Sequence, residues 1–339
     1  MLKMYIGELR GESNLPVLLP NTKVYIKDRW LFVKKAFAHY KEPVFDLASV
    51  LKDADFLLIP YNYFSIKNDK EYIDRFINLS KQHNKTILIF AYGDSAEEIN
   101  IPNSLIFRPS QYKFRKKGNE IIMPGYTEDL SDYFPISFRQ KSEVPMVGFC
   151  GWADFPGFKA KIKYYLKIAL NQDAERQGLY FRRQALGLLS KSDKVKTNFI
   201  IRKSYSGHSQ TIELPEEKAR EEYINNIVNS DFVLSVKGDG NFSYRFYEAL
   251  SLGRLPLLVD TDSVLPLEDI INYRDFVAFV DYRDMDRIAE TAKDYWDHLD
   301  DDLYAYKQKL AREAFERYLR IDKYFELMFK QRKVYDYLK

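Results

Sequence analysis

The fold of this chain is decided by the stretch Asp231-Phe-Val-Leu-Ser-Val-Lys-Gly-Asp-Gly-Asn-Phe-Ser-Tyr-Arg-Phe-Tyr-Glu-Ala-Leu-Ser-Leu-Gly-Arg-Leu-Pro-Leu-Leu-Val-Asp260. A short apolar run at 232–236 predicts a buried strand, and a second apolar run at 255–259 predicts another. Between them, a glycine-containing loop at 237–240 leads into a predicted helix at 243–252, which Asn241 or Ser243 can cap. Open α/β sheets bind ligands at the carboxyl ends of their strands. The loop is therefore the first candidate site.

The predicted helix has one apolar face and one polar face. Phe246, Ala249 and Leu250 share the apolar face, and Gly253 suits the position just beyond the helix end. Arg245 and Glu248, three residues apart, are expected on a free face. The free N–H groups of a helix N-terminus, together with a nearby guanidinium, favour a phosphate group.

Glu248, one turn further, is placed to accept hydrogen bonds from two adjacent hydroxyls such as those of a ribose. We therefore predict a nucleotide site that contains Lys237, Gly238, Gly240, Asn241, Ser243, Arg245 and Glu248. In it, Gly238 and Gly240 allow a close approach of the backbone to the ligand. The alternative is a solvated ion pair between Arg245 and Glu248 beside an ordinary turn.

Other nucleotide motifs do not fit the loop. Gly238-Asp-Gly240 lacks the third glycine of the dinucleotide fingerprint, and the Gly-Lys-Ser/Thr sequence of a P-loop does not follow it. The loop therefore matches neither the dinucleotide fingerprint nor the P-loop of an NTPase.

Composition narrows the class of protein. The 339 residues carry 52 basic and 49 acidic side chains, a formal net charge of +3, so no global field favours nucleic acid. Cys150 is the only cysteine, which excludes an internal disulfide and a multi-cysteine metal site. The apolar start of the chain is too short for a signal sequence, and no run of about 18 apolar residues occurs. We expect a cytoplasmic protein without a transmembrane segment.

Outward from the deciding stretch, apolar runs alternate with helical patterns, which is typical of parallel α/β sheets. The predicted strands are 2–6, 56–59, 86–90, 121–123, 146–150, 198–201 and 276–280, and the other predicted helices are 69–82, 178–190 and 216–229. The length suggests two domains. We predict a first domain at 1–140, a second domain with the candidate nucleotide site at 145–300, and a helical tail at 301–339 that packs back on the first domain.

Three motifs closely resemble the exostosin family of glycosyltransferases, glycosyltransferase family 47. They are Ser243-Tyr-Arg245-Phe-Tyr-Glu248, Gly253-Arg-Leu-Pro256 and Asp262-Ser-Val-Leu-Pro266. Val147-Gly-Phe-Cys-Gly-Trp152 and Asp53-Ala-Asp-Phe-Leu-Leu-Ile-Pro60 are weaker likenesses in the family's second and first domains. The resemblance implies a GT-B fold, in which two doubly wound Rossmann-like domains face a cleft. It makes 1–140 the acceptor-side domain and 145–300 the domain that binds the nucleotide-sugar donor. It also implies a UDP-sugar donor and transfer with inversion.

The resemblance also implies partners. The acceptor is expected to be a glycan or glycolipid in polysaccharide biosynthesis, with no nucleic acid partner, and peripheral membrane contact is compatible with this role. Exostosins of animals and plants usually carry a membrane anchor and several cysteines, which this sequence lacks. A bacterial or viral surface-glycan enzyme that works inside the cell is therefore favoured. The alternative function is an inactive, transferase-like module that binds a glycan or nucleotide.

Sugar transfer from UDP needs cations at the diphosphate and a general base for the acceptor. Arg245 is the predicted diphosphate contact, with Arg202 and Lys237 as further cations, so that no metal and no cofactor are expected. Asp94 is the first candidate for the base and Glu8 the second. The alternative for Asp94 is an Asx-type turn residue.

A metal site is the less favoured interpretation of two features. Asp260-Thr-Asp262 has the pattern that holds Mn²⁺ or Mg²⁺ in transferases of a different architecture. The four histidines, His39, His83, His208 and His298, show no shared ligand spacing, and only His208 is expected near the cleft.

Overall fold

The computed structural model describes residues 1–10, 14–22, 33–155, 157, 161–162, 175, 177–205 and 214–338. Two parallel sheets with flanking helices organise these residues. The first sheet has the order β2-β1-β3-β4-β5-β6, and its strands are β1 Leu2–Tyr5, β2 Phe45–Leu47, β3 Phe56–Asn62, β4 Ile87–Phe90, β5 Ser104–Arg108 and β6 Glu120–Ile122. The second has the order β11-β10-β9-β7-β8, and its strands are β7 Met146–Trp152, β8 Lys196–Arg202, β9 Phe232–Ser235, β10 Leu255–Asp260 and β11 Ala278–Asp281.

Helices connect and cover the strands. The described α-helices are α1 Val33–Ala36, α2 Tyr63–Ile66, α3 Lys70–His83, α4 Gly178–Leu189, α5 Glu216–Val228, α6 Tyr244–Ser251, α7 Ile288–Asp297, α8 Asp301–Ala314 and α9 Ile321–Phe325. Short 3₁₀ segments lie at Pro16–Leu18, Leu51–Asp53, Leu130–Asp132, Tyr273–Asp275, Tyr282–Arg287 and Lys333–Leu338, and π-helical turns at Phe315–Leu319 and Glu326–Lys330. The predicted α/β architecture of the GT-B type, with two parallel sheets, is confirmed.

The deciding stretch folds as its pattern predicts. β9 and β10 pair in parallel, with Leu255 opposite Phe232. In the connecting helix α6, Phe246, Ala249 and Leu250 are all buried, so the apolar face packs on the sheet. Gly253 has a φ of +65° just past the helix, a conformation that a glycine adopts without a steric penalty.

The first sheet contains two strands that the sequence pattern does not predict. β5 is buried along its whole length but lies between polar loops rich in Pro, Ser and Lys. β2 spans only three residues, too few to show a period. Both pair in parallel with a predicted strand, β5 with β4 and β2 with β1.

The C-terminal helices lie against both sheets. Phe329 in the tail contacts Phe45 and Phe107 of the first sheet, with ring centroids 5.5 and 5.6 Å apart. Arg312 of α8 donates to the carbonyl of Ser251, the last residue of α6, at 2.6 Å. The tail therefore joins the first sheet to the helix that follows the deciding loop.

Candidate active site

The site lies where the carboxyl ends of the two sheets meet. The glycine loop, residues 237–242, follows β9 and precedes α6. Asp94 follows β4, and its Oδ1 accepts a hydrogen bond from the Gly240 N–H at 3.1 Å. Ser110, after β5, accepts a hydrogen bond from the Asn241 N–H at 2.8 Å. The first half of the chain thus holds the loop of the second half directly.

Three N–H groups of the glycine loop already donate to acceptors within the protein. Besides the bonds from Gly240 and Asn241, the Gly238 N–H donates to the Phe242 carbonyl at 3.0 Å. A Cβ at position 240 would lie 2.7 Å from the Cα of Asp94. At Gly240 the space for a close approach is taken by the protein, whereas the predicted approach of Gly238 to a ligand stays a prediction. The close approach at Gly240 is to Asp94, and the loop N–H groups do not form a phosphate cradle.

Arg245 lies against the end of β7. Its guanidinium lies over the Phe149 ring, 4.3 Å from the centroid, and Nη2 donates to the carbonyl of Cys150 at 2.8 Å. A Cβ at Gly151 would lie 2.8 Å from that Nη2, so the glycine makes room for the arginine. Nε has no hydrogen-bond partner among the described residues.

Arg182 of α4 is a second cation at this place, and no sequence motif pointed to it. Its guanidinium donates to the carbonyls of Trp152 at 3.3 Å and Lys237 at 3.1 Å, and its Nε has no partner among the described residues. Burial and the neighbouring Arg245 lower the pKa of Arg182 to about 10. The sequence feature that could have pointed to Arg182 is Gly178, which lies one turn earlier at the start of α4. The Gly178 N–H donates to the carbonyl of Gly238 at 3.1 Å and so brings α4 to the glycine loop.

The two guanidinium groups form a cationic pair, Arg182 and Arg245. They bind carbonyls two residues apart at the end of β7, a spacing of roughly 7 Å along a strand. Among the described residues, neither arginine forms an ion pair with a carboxylate. Two partly buried positive charges side by side repel each other, so a bound anion stabilises both.

Glu248 does not lie on a free face as predicted. It is 4% exposed, and its carboxylate accepts hydrogen bonds from Arg220 at 3.0 Å and from the Tyr223 hydroxyl. The three-residue spacing from Arg245 is correct, but α5 packs over this part of α6 and covers it. The alternative interpretation, a surface ion pair between Arg245 and Glu248, is also absent from the described contacts.

The two candidates for a general base occupy different places. Asp94 lies at the solvent edge of the cleft, beside the glycine loop. Partial desolvation by the surrounding protein and repulsion from Asp239 raise the pKa of Asp94. Glu8, just after β1, is exposed, and none of the contacts in the described parts of the chain joins it to the glycine loop. The structure therefore brings only Asp94 to the site.

Comparison with known proteins identifies the second half of the chain. Residues 171–294 match the model of the exostosin GT47 domain. Residues 171–294 are called the GT47 domain after this similarity. The matched range contains Arg182, the glycine loop, Arg245 and Glu248, and it confirms the resemblance that the three motifs indicate. It identifies a glycosyltransferase-family domain.

The other comparisons add little. No curated protein matches this sequence significantly. Among solved structures, the crystal structure of TarM is similar, with 13% identity, a TM-score of 0.31, and a match over 71% of this chain and 54% of that chain. This chain thus spans about half the length of the TarM chain, and a likeness of this size carries no argument about function.

Two polar residues of the GT47 domain do not have the predicted capping role. Ser243 occupies the N-cap position of α6, but its side chain makes no capping hydrogen bond. The Asn241 side chain bonds instead to Thr261 and to the carbonyl of Gln111. Asn241 therefore fixes the loop against both halves of the chain.

The further cations of the GT47 domain already have partners. Arg202 forms an ion pair with Glu222 at 3.0 Å. Lys237 is buried and donates to the Tyr112 hydroxyl at 2.7 Å. Burial lowers the pKa of Lys237 to about 8.

A small cavity of about 20 Å³ lies beside the glycine loop, between α6 and β10, with Ser243, Phe246, Val259 and Leu265 among its lining residues. This volume holds about one water molecule, not a sugar.

The acidic residues of the possible metal site at 260–262 form ion pairs with basic side chains. Asp260 accepts from Lys113 Nζ at 2.8 Å, and Asp262 accepts from Arg283 at 2.7 Å. In the described ranges, one group of three possible ligands occurs, His39, Asp129 and Asp132, but Asp129 is already paired with Arg312 and Arg320. His208 lies outside the described residues.

No helix of the described parts has the length and hydropathy to cross a bilayer.

Proposed function

We propose that this chain is an inverting glycosyltransferase that moves a sugar from a UDP-sugar to a hydroxyl of a glycan or glycoconjugate. The observation that carries the proposal is the cationic pair, Arg182 and Arg245, inside the GT47 domain and without a carboxylate partner in the described contacts. A diphosphate is the anion whose size and charge suit two guanidinium groups at this spacing.

The same pair fits the chemistry of the leaving group. As the bond between the anomeric carbon and the β-phosphate oxygen breaks, negative charge grows on the diphosphate. Fixed cations in a partly dry site stabilise that charge without reorganisation. We propose that the arginines do this without a divalent metal.

Asp94 is the proposed base. During transfer, the acceptor oxygen forms a bond to the anomeric carbon, the bond to UDP breaks, and the acceptor proton passes to the Asp94 carboxylate. A raised pKa makes Asp94 a stronger base near neutral pH than an ordinary carboxylate. The Asp94 bond to Gly240 fixes the base relative to the loop of the donor side.

Glu248 is the proposed ribose contact, although it is buried. Each carboxylate oxygen has two lone pairs, and the protein occupies one on each oxygen, from Arg220 and from Tyr223. One further hydrogen bond on each oxygen can therefore come from the two ribose hydroxyls.

A donor panel tests the proposal. UDP-glucuronate, UDP-xylose, UDP-galactose, UDP-glucose and UDP-N-acetylglucosamine are offered with glycan acceptors, and UDP release and the anomeric configuration of the product are measured. We expect UDP release with one donor and an inverted product. Activity that EDTA abolishes and Mn²⁺ restores would contradict metal independence. UDP binding without turnover on any acceptor would favour the binding module.

A further inference from the structure

The Glu248 carboxylate is held at both oxygens by residues of one helix face. Arg220 Nη1 donates to Oε1 at 3.0 Å, and the Tyr223 hydroxyl donates to Oε2. Arg220 and Tyr223 lie three residues apart on α5 and therefore share a face. That face packs on α6, where the Glu248 side chain is 5% exposed.

Arg220 is itself fixed from the opposite side. Its Nη2 donates to Glu128, a residue 1% exposed that follows β6 of the first sheet. One guanidinium thus bridges two buried carboxylates, one from each half of the chain. Burial opposes the charge on Arg220, but Glu248 and Glu128 outweigh it and raise the pKa of the guanidinium. Arg220 stays charged and its fork has little rotational freedom.

A carboxylate held in this way has a defined plane. A free Glu has several rotamers, and a carboxylate that recognises two adjacent hydroxyls must present both oxygens at once. With one donor on each oxygen, the remaining lone pairs of Glu248 have fixed directions. Loss of either donor leaves the carboxylate of Glu248 less firmly oriented.

We propose that Arg220 and Tyr223 are positioning residues that orient Glu248 toward the ribose hydroxyls and so determine selectivity for a ribonucleotide donor. The inference rests on the proposed function, because it requires Glu248 to contact the ribose. Neither residue is assigned a contact with the ligand. Glu128 anchors the far side of Arg220 and makes this selectivity depend on both halves of the chain.

The test compares UDP with 2′-deoxy-UDP by isothermal titration calorimetry. A hydrogen bond to a charged group contributes about 1.5–3 kcal/mol, so we expect the wild type to prefer UDP by about 10-fold or more. In Arg220→Met, which keeps much of the side-chain length, we expect the two ligands to bind within about threefold of each other. Tyr223→Phe removes a single oxygen and should reduce the preference for UDP over 2′-deoxy-UDP at least about threefold. This variant tests the positioning role if Arg220→Met does not fold.

Arg312→Met is the matched control. Arg312 also forms a buried ion pair, with Asp129, but it contacts α6 at the carbonyl of its last residue, Ser251, and not at the Glu248 carboxylate. We expect this variant to be less stable than the wild type and to keep the wild-type preference for UDP. A wild-type preference in both Arg220→Met and Tyr223→Phe would overturn the inference.

Two other outcomes would contradict the proposed function itself rather than the role of Arg220 and Tyr223. Equal wild-type affinity for UDP and 2′-deoxy-UDP would overturn the ribose role of Glu248, and with it the role of the residues that hold it. No wild-type binding of UDP would overturn the donor class. Both outcomes differ from the result that would overturn only the positioning role, in which the wild type prefers UDP and both variants keep that preference.

Discussion

Asp94 combines a structural contact with a position at the edge of the cleft. The contact uses Oδ1, which an asparagine also has, so Asp94→Asn preserves the bond to Gly240 but removes the basic carboxylate. We expect kcat to fall by about 10²- to 10⁴-fold, with UDP affinity little changed. Steady-state kinetics and UDP titration measure the two effects. Full activity in Asp94→Asn would show that the residue only fixes the loop, as the turn interpretation holds.

Lys237 gives the chain a pH-dependent stability. Its folded-state pKa of about 8 lies below the ordinary value of 10.5, so the buried charge destabilises the fold at neutral pH, and this effect declines as pH rises from 8 to 10.5. The penalty is about 3 kcal/mol at pH 7 and about 1 kcal/mol at pH 10. Lys237→Met should therefore gain stability relative to the wild type most strongly at pH 7. Urea unfolding of both proteins between pH 7 and 10 checks this, and a constant difference would contradict it.

At the residue scale, local sequence patterns indicated residues that border the glycine loop, but not what surrounds each side chain. Arg245 and Asp94 lie at the cleft because each follows or borders a recognisable strand end. Arg182 was not predicted because its neighbourhood depends on how α4 packs on the glycine loop, a contact between residues 55 positions apart. The burial of Glu248 likewise depends on α5, which no local pattern around Glu248 reveals.

At the scale of elements, α4 docks its first residue against the glycine loop. A Cβ at Gly178 would lie 2.0 Å from the Lys237 carbonyl oxygen, whereas a Cβ at Gly187 in the same helix meets nothing within 4 Å. Gly178→Ala should therefore destabilise the protein by about 2 kcal/mol or more and weaken UDP binding, because the Lys237 carbonyl also holds Arg182.

Gly187→Ala is the control for this contact. The position is exposed in the helix interior, so alanine should stabilise the protein by about 0.5–1 kcal/mol. Thermal unfolding of both variants measures the difference. Equal stability of Gly178→Ala and Gly187→Ala would contradict the docking of α4 on the loop.

The elements with a clear period were those that the sequence predicted. Helix 69–82 corresponds to α3 at Lys70–His83, and strand 255–259 corresponds to β10 at Leu255–Asp260. β5 was not predicted because a buried strand of five residues between polar loops has no alternation to detect. The predicted domain boundaries at 140 and 145 stay a prediction.

At the scale of the whole molecule, the tail contributes to the core of the first sheet. Phe329 is 1% exposed and packs on Phe45 and Phe107, so Phe329→Ala should destabilise the fold by about 3–5 kcal/mol. Tyr306, in α8 and 56% exposed, is the control, and Tyr306→Ala should change stability by less than about 0.5 kcal/mol. Urea denaturation compares them. A small effect of Phe329→Ala would mean that the first sheet folds without the tail.

The central claim is that Arg182 and Arg245 together bind the diphosphate of the donor, and calorimetric titration with UDP tests it most directly. Arg182→Ala and Arg245→Ala should each weaken UDP binding by about 10-fold or more, since each removes charged hydrogen bonds to the diphosphate. Arg183→Ala, the next residue along α4, is the control because Arg183 already pairs with Asp154 at 3.0 Å. It should bind UDP like the wild type. Unchanged UDP affinity in both Arg182→Ala and Arg245→Ala would contradict the claim.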